Sequence, residues 1–335
     1  VRASGPELKA AVIEGLRRSG VDVVDVGNIS SDMIYFAVGH YGYDGGIIVS
    51  ASHNPPEYNG AKAVIKDAAP LMPEAGFDEM KKLAQENNFT DAEHYGSVSE
   101  KNIIDDYIEK CLSFVDRNEL KPLKIVANLH YGAVNYSFEA LKNKVPFKAI
   151  TIDDHPDGTF PKGAPDPLRP ENRLETIALI KKEKPAFGVA WDGDGDRCFF
   201  YDENGDFVDG YYIVAILAKY FLQLHPNSAI LYDPRCWWAT VDTVNKLGGN
   251  PIKEKVGHVF FKGSMRKNNA IYGGEMSAHH YFRDFWSCDN GLIPFLIIWQ
   301  MVSKGHNLSE VAKPFRENYP ISGEINFTVK SVDRS

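Results

Sequence analysis

Cysteine is scarce: Cys111, Cys198, Cys236 and Cys288 are the four in 335 residues, and none belongs to a CxxC pair. That spacing argues against a disulfide framework and against a cysteine-based zinc site, and it suits free thiols in a reducing cytoplasm. Long apolar runs are lacking as well. The stretches at 211–219 and 291–299 are short or interrupted, far from the ~20 residues a spanning helix needs, so they read as buried helices and no membrane partner is expected. Positive charge has no surplus: 37 Lys and Arg face 45 Asp and Glu, a net −8, with a pI near 5.7. Nucleic acid is therefore not an expected partner, and an anionic substrate would need a local basic pocket. The first residues carry no basic segment followed by an apolar one, the pattern of a secretion signal. Instead, Val1-Arg2-Ala3-Ser4-Gly5-Pro6-Glu7-Leu8 reads as a loop leading into a helix.

What the chain does have is an ordinary globular balance, 44% hydrophobic and 24% charged, which disfavours a disordered or fibrous class. Its length exceeds one hydrophobic core and suits about two or three domains. Leu8, Ala11, Val12 and Leu16 stand at helical spacing and predict a helix over 7–19, with Gly20 as its stop. A strand is expected over 21–26, a helix over 31–41, and a strand over 45–50 whose apolar run suggests burial on both faces. The alternation repeats, with strand 124–128, helix 132–141, strand 147–151, helix 173–184 and a buried strand 187–191. A third round has helix 212–222, strand 229–232, helix 237–247 and strand 250–253. Such alternation predicts an α/β chain of three similar domains, each a mixed, largely parallel sheet covered by helices. Boundaries are expected at 1–108, 109–205 and 206–318, with 319–335 opening the strand of a further, mostly absent domain.

Three loops carry the chemistry. The first, Ser50-Ala51-Ser52-His53-Asn54-Pro55-Pro56-Glu57-Tyr58-Asn59-Gly60-Ala61-Lys62, follows an apolar strand, and α/β proteins place ligands just beyond strand C-termini. A lone loop serine is far more often a turn residue than a nucleophile. Ser52 stands out because His53 and Lys62 beside it can handle protons or bind phosphate, and because the proline pair makes a rigid, exposed turn. The second loop, Asp192-Gly193-Asp194-Gly195-Asp196-Arg197, offers three carboxylates at alternate positions, with glycines that let the backbone curl around one hard cation. Mg²⁺ suits such an oxygen set where phosphate also binds. An EF-hand calcium loop competes, since Glu203 is at position 12 from Asp192. It fails on Arg197 at position 6, where glycine is required, and on flanks that read as strands. The third loop, Gly273-Gly274-Glu275-Met276-Ser277-Ala278-His279-His280, pairs hydrogen-bonding Glu275 and Ser277 with glycines that permit close backbone approach; His280 reads as structural.

In this order and spacing the three loops resemble the α-D-phosphohexomutases, and Gly274-Glu275-Met276-Ser277 resembles that family's phosphomannomutase and phosphomannomutase/phosphoglucomutase branch. Gly163-Ala164-Pro165-Asp166-Pro167, Pro170-Glu171-Asn172 and Val256-Gly257-His258 extend the likeness through most of the chain. The resemblance implies four domains around a cleft, of which the N-terminal segment with its first strand and most of the fourth domain are expected to be missing. It implies that Ser52 is phosphorylated, that Asp192, Asp194 and Asp196 hold Mg²⁺ together with the phosphoserine oxygen, and that His53 and Lys62 serve proton transfer. Arg197 would lie beside the phosphoserine. Glu275, Ser277 and His279 would recognise the sugar, Gly257 and His258 would contact the ligand, and Arg235 would supply a basic group.

The implied activity interconverts mannose 6-phosphate and mannose 1-phosphate, with a hexose 1,6-bisphosphate as intermediate and activator. Lys62 would take the attacking hydroxyl's proton if Arg197 and the loop lower its pKa. Three other readings stay open. Glucose phosphates are a second substrate class, an aspartate of the triplet could carry the phosphate instead of Ser52, and a chain without its phosphate-gripping domain could bind sugar phosphates without turnover.

Overall fold

The computed structural model describes residues 1–72 and 75–323. The expected strand after Tyr319 falls mainly on residues 324–335, outside the described residues. The first unit runs through α1 (Gly5–Arg18), β1 (Val23–Asp25), α2 (Ser31–Tyr41), β2 (Gly45–Val49), β3 (Ala61–Ile65), β4 (Ala69–Pro70), α3 (Phe77–Glu86) and β5 (Val98–Glu100), and α4 (Ile104–Leu112) leads out of it. β1 pairs with β5 in parallel, whereas β2, β3 and β4 form an antiparallel sheet. β2 therefore departs from the doubly buried strand its apolar run suggests. Among the described residues it stands at the edge of a three-stranded sheet, and Ile47 is 37% exposed. Its partner β3 (Ala61-Lys62-Ala63-Val64-Ile65) alternates too weakly in polarity to stand out in the sequence.

The second unit contains β6 (Lys124–Asn128), α5 (Val134–Lys142), β7 (Lys148–Ile152), α6 (Leu174–Glu183), β8 (Phe187–Trp191), β9 (Cys198–Tyr201) and β10 (Phe207–Val208). Strand order is β10-β9-β8-β6-β7, parallel from β8 through β6 to β7 and antiparallel from β8 through β9 to β10. All five residues of β8 are buried, as a strand flanked on both sides requires. The third unit contains α7 (Gly210–Leu224), β11 (Ala229–Tyr232), α8 (Trp237–Lys246), β12 (Asn250–Lys253), α9 (His258–Lys267), β13 (Tyr272–Gly274), β14 (His280–Phe282), β15 (Cys288–Asp289), α10 (Leu292–Ser303) and α11 (Leu308–Asn318). Its sheet order, β12-β11-β13-β14-β15, is again parallel on one side and antiparallel on the other.

α10 joins the units. It is apolar on every side, the pattern of a helix surrounded by protein, and nearly every residue in it is buried. Phe295 packs on Phe138, Phe147, Phe187 and Trp191 of the second unit. Asn290 caps the helix by accepting from the Leu292 and Ile293 amides at 2.8 and 2.7 Å. Asp32 of α2 accepts from Tyr107 of α4 at 2.6 Å and from the Gly291 amide at 3.2 Å, and Asn290 reaches the same tyrosine hydroxyl. Elements from opposite ends of the chain thus meet at one buried polar node. Truncating Phe295 to alanine should cost about 3–5 kcal/mol, the usual range for a fully buried aromatic, read as a shift in the urea unfolding midpoint. A loss under about 1 kcal/mol would mean α10 is not packed as described.

Candidate active site

Each of the three chemistry-bearing loops joins two antiparallel strands. Residues 50–60 link β2 to β3, 192–197 link β8 to β9, and 275–279 link β13 to β14. The latter two also lie beyond the C-terminal ends of strands with parallel neighbours, where ligand sites are expected. The Ser52 loop instead closes an antiparallel hairpin, a correction to its expected setting. The hairpin register pairs Ile48 with Lys62, and the Ser50 amide donates to the Gly60 carbonyl at 2.9 Å.

Ser52 has φ 48°, a left-handed backbone that serine adopts rarely. Its hydroxyl donates to Asp192 Oδ2 at 2.8 Å and lies 3.1 Å from His53 Nδ1. Burial, with Arg197 nearby, lowers the His53 pKa to about 4, so the imidazole is neutral at pH 7. The serine loop and the aspartate loop touch so closely that a Cβ on Gly193 would come within 2.7 Å of the Ser52 carbonyl oxygen. Only glycine fits there.

Asp192, Asp194 and Asp196 are all buried, with one carboxylate oxygen from each within 4.8 Å of the others. Lys62 Nζ bridges Asp194 at 2.7 Å and Asp196 at 2.6 Å. Arg197 donates to Asp192 Oδ2 through Nε at 3.0 Å and Nη2 at 2.9 Å. At the N-terminus of α2, the Ser31 hydroxyl donates to Asp194 at 2.5 Å and the Ser31 amide to the Asp194 carbonyl at 2.9 Å, so the positive end of a helix faces the triplet. Even so, burial and the neighbouring carboxylates push Asp192 up to about 6 and Asp196 well above the usual carboxylate range. One oxygen each of Asp194 and Asp196 has no hydrogen-bond partner among the described residues. Orphaned buried carboxylate oxygens in an all-oxygen set fit a hard divalent cation such as Mg²⁺.

The charge state of Lys62 differs from the expectation that Arg197 lowers its pKa. Burial disfavours the ammonium, but Asp194 and Asp196 in direct contact outweigh it and hold the pKa well above the ordinary value. The calcium-loop alternative fails on geometry as well, because Glu203 turns away to the Ser309 amide at the start of α11. His280 is buried and bonded to Tyr272, consistent with a structural role.

The third loop closes over this centre. Arg197 and His279 form an isolated antiparallel bridge between the two loops, and His279 Nε2 lies 3.8 Å from Asp196. Ser277 Oγ is 3.0 Å from His279 Nδ1. Glu275, 1% exposed, is engaged internally: it accepts from the Gly257 amide at 2.9 Å and the Tyr281 hydroxyl at 2.5 Å. It thereby fixes the Gly257-His258 turn, where Gly257 at φ 128° occupies a conformation closed to other residues. His258 Nδ1 is 3.4 Å from Lys262, which pairs with Asp289 at 2.7 Å, and both members of that pair are 1% exposed. Arg235 folds back onto Asp233 at 2.7 Å, while the same carboxylate accepts from the Met276 amide.

Three contributors escaped the sequence reading. Ser31 and the Lys262–Asp289 pair act across long separations and belong to no recognisable spacing. Arg2 donates to the carbonyls of Ala51, Ser52, Asn54, Pro55 and Tyr58; the only local sign of it was an N-terminal segment that reads as a loop.

Comparison with known proteins supports the same grouping. The phosphoglucomutase/phosphomannomutase alpha/beta/alpha domains I, II and III match residues 1–91, 105–205 and 209–319. A phosphomannomutase of Vibrio cholerae is 44% identical over 99% of this chain and 73% of its own length. A relative described as phosphohexose mutases in Xanthomonas campestris is 42% identical over 98% of this chain and 74% of its own. A solved phosphoglucomutase/phosphomannomutase family protein of Burkholderia thailandensis superposes with a TM-score of 0.85 at 30% identity, covering 94% of this chain and 69% of that one. Three family models that together span most of the chain, and 44% identity to a curated relative, show that the chain belongs to the phosphoglucomutase/phosphomannomutase family.

Proposed function

We propose that the chain interconverts mannose 6-phosphate and mannose 1-phosphate by way of a phosphate stored on Ser52. The observation that carries this reading is the 2.8 Å contact between the Ser52 hydroxyl and Asp192, which makes the nucleophile and the cation site one site. Phospho-Ser52 transfers its phosphoryl group to the free hydroxyl of the hexose monophosphate: the serine P–O bond breaks, a sugar P–O bond forms, and a hexose 1,6-bisphosphate results. In that first step the sugar hydroxyl loses a proton and the serine oxygen gains one. In the return step the bisphosphate's other sugar P–O bond breaks as a P–O bond to Ser52 Oγ forms, the serine loses its proton and the freed sugar oxygen gains one, and the isomeric monophosphate leaves. Lys62, held as an ammonium, is the donor at hand, and neutral His53 is the acceptor nearest Ser52 Oγ. Arg197 and Lys62 offset charge around the transferring group, which is where phosphoryl transfer gains most from its protein.

Asp192, Asp194 and Asp196 would hold Mg²⁺, which when bound supplies charge neutralisation to that group. Glu275, Ser277, His279, Gly257, His258 and Arg235 are read as the sugar-phosphate face. The units 1–108, 109–205 and 206–318 would then contribute the carrier, the metal and the sugar contacts respectively. The name of the Vibrio relative supports mannose, while that of the Xanthomonas relative favours broader hexose specificity and that of the Burkholderia structure includes a phosphoglucomutase.

Ser52→Ala should lower mutase turnover by more than about 10³-fold with bisphosphate supplied. Near-normal rates would remove Ser52 as carrier, and acid-labile phosphate on the protein would move that role to an aspartate. Binding of mannose 1-phosphate without turnover by the wild-type chain would favour a sugar-phosphate-binding protein. Asp194→Asn should weaken Mg²⁺ binding by about 10-fold or more in calorimetric titration, since an amide oxygen replaces a charged ligand. An unchanged isotherm would take Asp194 out of the metal site.

A further inference from the structure

We propose that Arg2 is a positioning residue for phosphoryl transfer, holding the serine loop in the backbone arrangement that presents Ser52 to Asp192; this rests on Ser52 being the phosphate carrier. The Arg2 guanidinium serves a single loop. Nη1 donates to the carbonyls of Pro55 at 2.7 Å and Tyr58 at 2.8 Å. Nη2 donates to Ala51 at 3.2 Å, Ser52 at 2.7 Å and Asn54 at 2.7 Å. The Ala51 and Ser52 carbonyls belong to the two peptide planes flanking the Ser52 α-carbon, and the rotations of those planes are its φ and ψ. One nitrogen thus grips both planes of the residue whose φ is 48°. Residues in such sparsely populated conformations persist only where their surroundings over-determine them, and here Arg2 holds the carbonyls while the Ser50 hydroxyl accepts from the Ser52 amide and Asp192 from the Ser52 hydroxyl.

The chemistry requires arginine. Carbonyl dipoles converging on one point need a cation at their centre, and the planar fork offers several donors in fixed directions where a lysine ammonium is a compact point charge. Arg2 is 4% exposed and takes part in none of the ion pairs found among the described residues, so no carboxylate contact competes for its donors. Its guanidinium also lies over the Phe160 ring of the second unit, 5.3 Å from the centroid. Carrier loop and metal-bearing unit are therefore referenced to the same side chain. A misplacement of the nucleophile by about 1 Å costs on the order of 10² in rate.

The test compares the wild-type chain with Arg2→Met and Arg2→Lys in three measurements: uptake of labelled phosphate from glucose 1,6-bisphosphate, kcat and KM for mannose 1-phosphate, and Tm. Arg2→Met should lose about 10²-fold in phosphate uptake and in kcat, with KM within about threefold because the sugar contacts lie elsewhere. Guanidinium ion at non-denaturing concentration should restore part of the uptake. Arg2→Lys keeps the charge without the fork, and it too should lose uptake; it carries the test if the methionine variant does not fold. Wild-type uptake in either variant would overturn the proposal. So would a loss that tracks a lowered Tm and is untouched by guanidinium, since that marks a merely structural residue. Absence of uptake by the wild-type chain would instead sink the Ser52 reading, and this proposal with it.

Discussion

Three carboxylates buried at one point are the constraint around which the rest is arranged. Asp192, Asp194 and Asp196 lie in a low-dielectric setting where like charges repel and lost hydration is not returned. The countercharges come from different parts of the chain: Lys62 from the hairpin of the first unit, Arg197 from the aspartate loop itself, and the N-terminus of α2 through Ser31. Neither Lys62 nor Ser31 reaches the triplet unless the first and second units are pressed together. The apolar packing of α10 and the node at Asp32 supply that pressing. Electrostatic need and hydrophobic burial therefore act on the same interface from opposite sides.

The carboxylates remain imperfectly neutralised, and this is where function enters. A set of acids built purely for stability would leave no buried oxygen without a donor, because such an oxygen costs free energy. Among the described residues, Asp194 and Asp196 each leave one. Around them stand groups held in unusual states, Ser52 with a left-handed backbone and His53 kept neutral by burial. Strain and shifted protonation concentrated within a few ångströms are what a reacting centre needs, and the rest of the fold sustains them.

Much of this was legible in the amino-acid order, for a physical reason: the chemistry is local in sequence. Asp192 to Arg197 form one contiguous run, and Ser52 and His53 are neighbours, so the loops announce themselves before any fold is known. The α/β alternation was legible because elements such as β8 and α10 are continuous, strongly apolar runs. What escaped depends on tertiary contact. β3 has no marked alternation, so nothing in the amino-acid order marks the serine loop as the turn of a hairpin. The charge of Lys62 is decided by carboxylates 132 and 134 positions away, and Arg2 meets its carbonyls about fifty positions along the chain. Neither separation leaves a periodic trace.

The pairing of Ile48 with Lys62 carries a consequence for how such a chain can vary over time. Successive residues of a strand point to opposite faces, so the ladder acts as a ruler that tells Lys62 which face to occupy. Apart from Ser52 and His53, the letters between Ser50 and Gly60 can be exchanged as long as the carbonyls still converge. A single residue added or deleted there, unless absorbed as a bulge, would slip the ladder by one step and turn the ammonium away from the aspartates. The length of this stretch is thus constrained along with its composition, and an insertion of the kind surface loops ordinarily tolerate would cost the Lys62 contact.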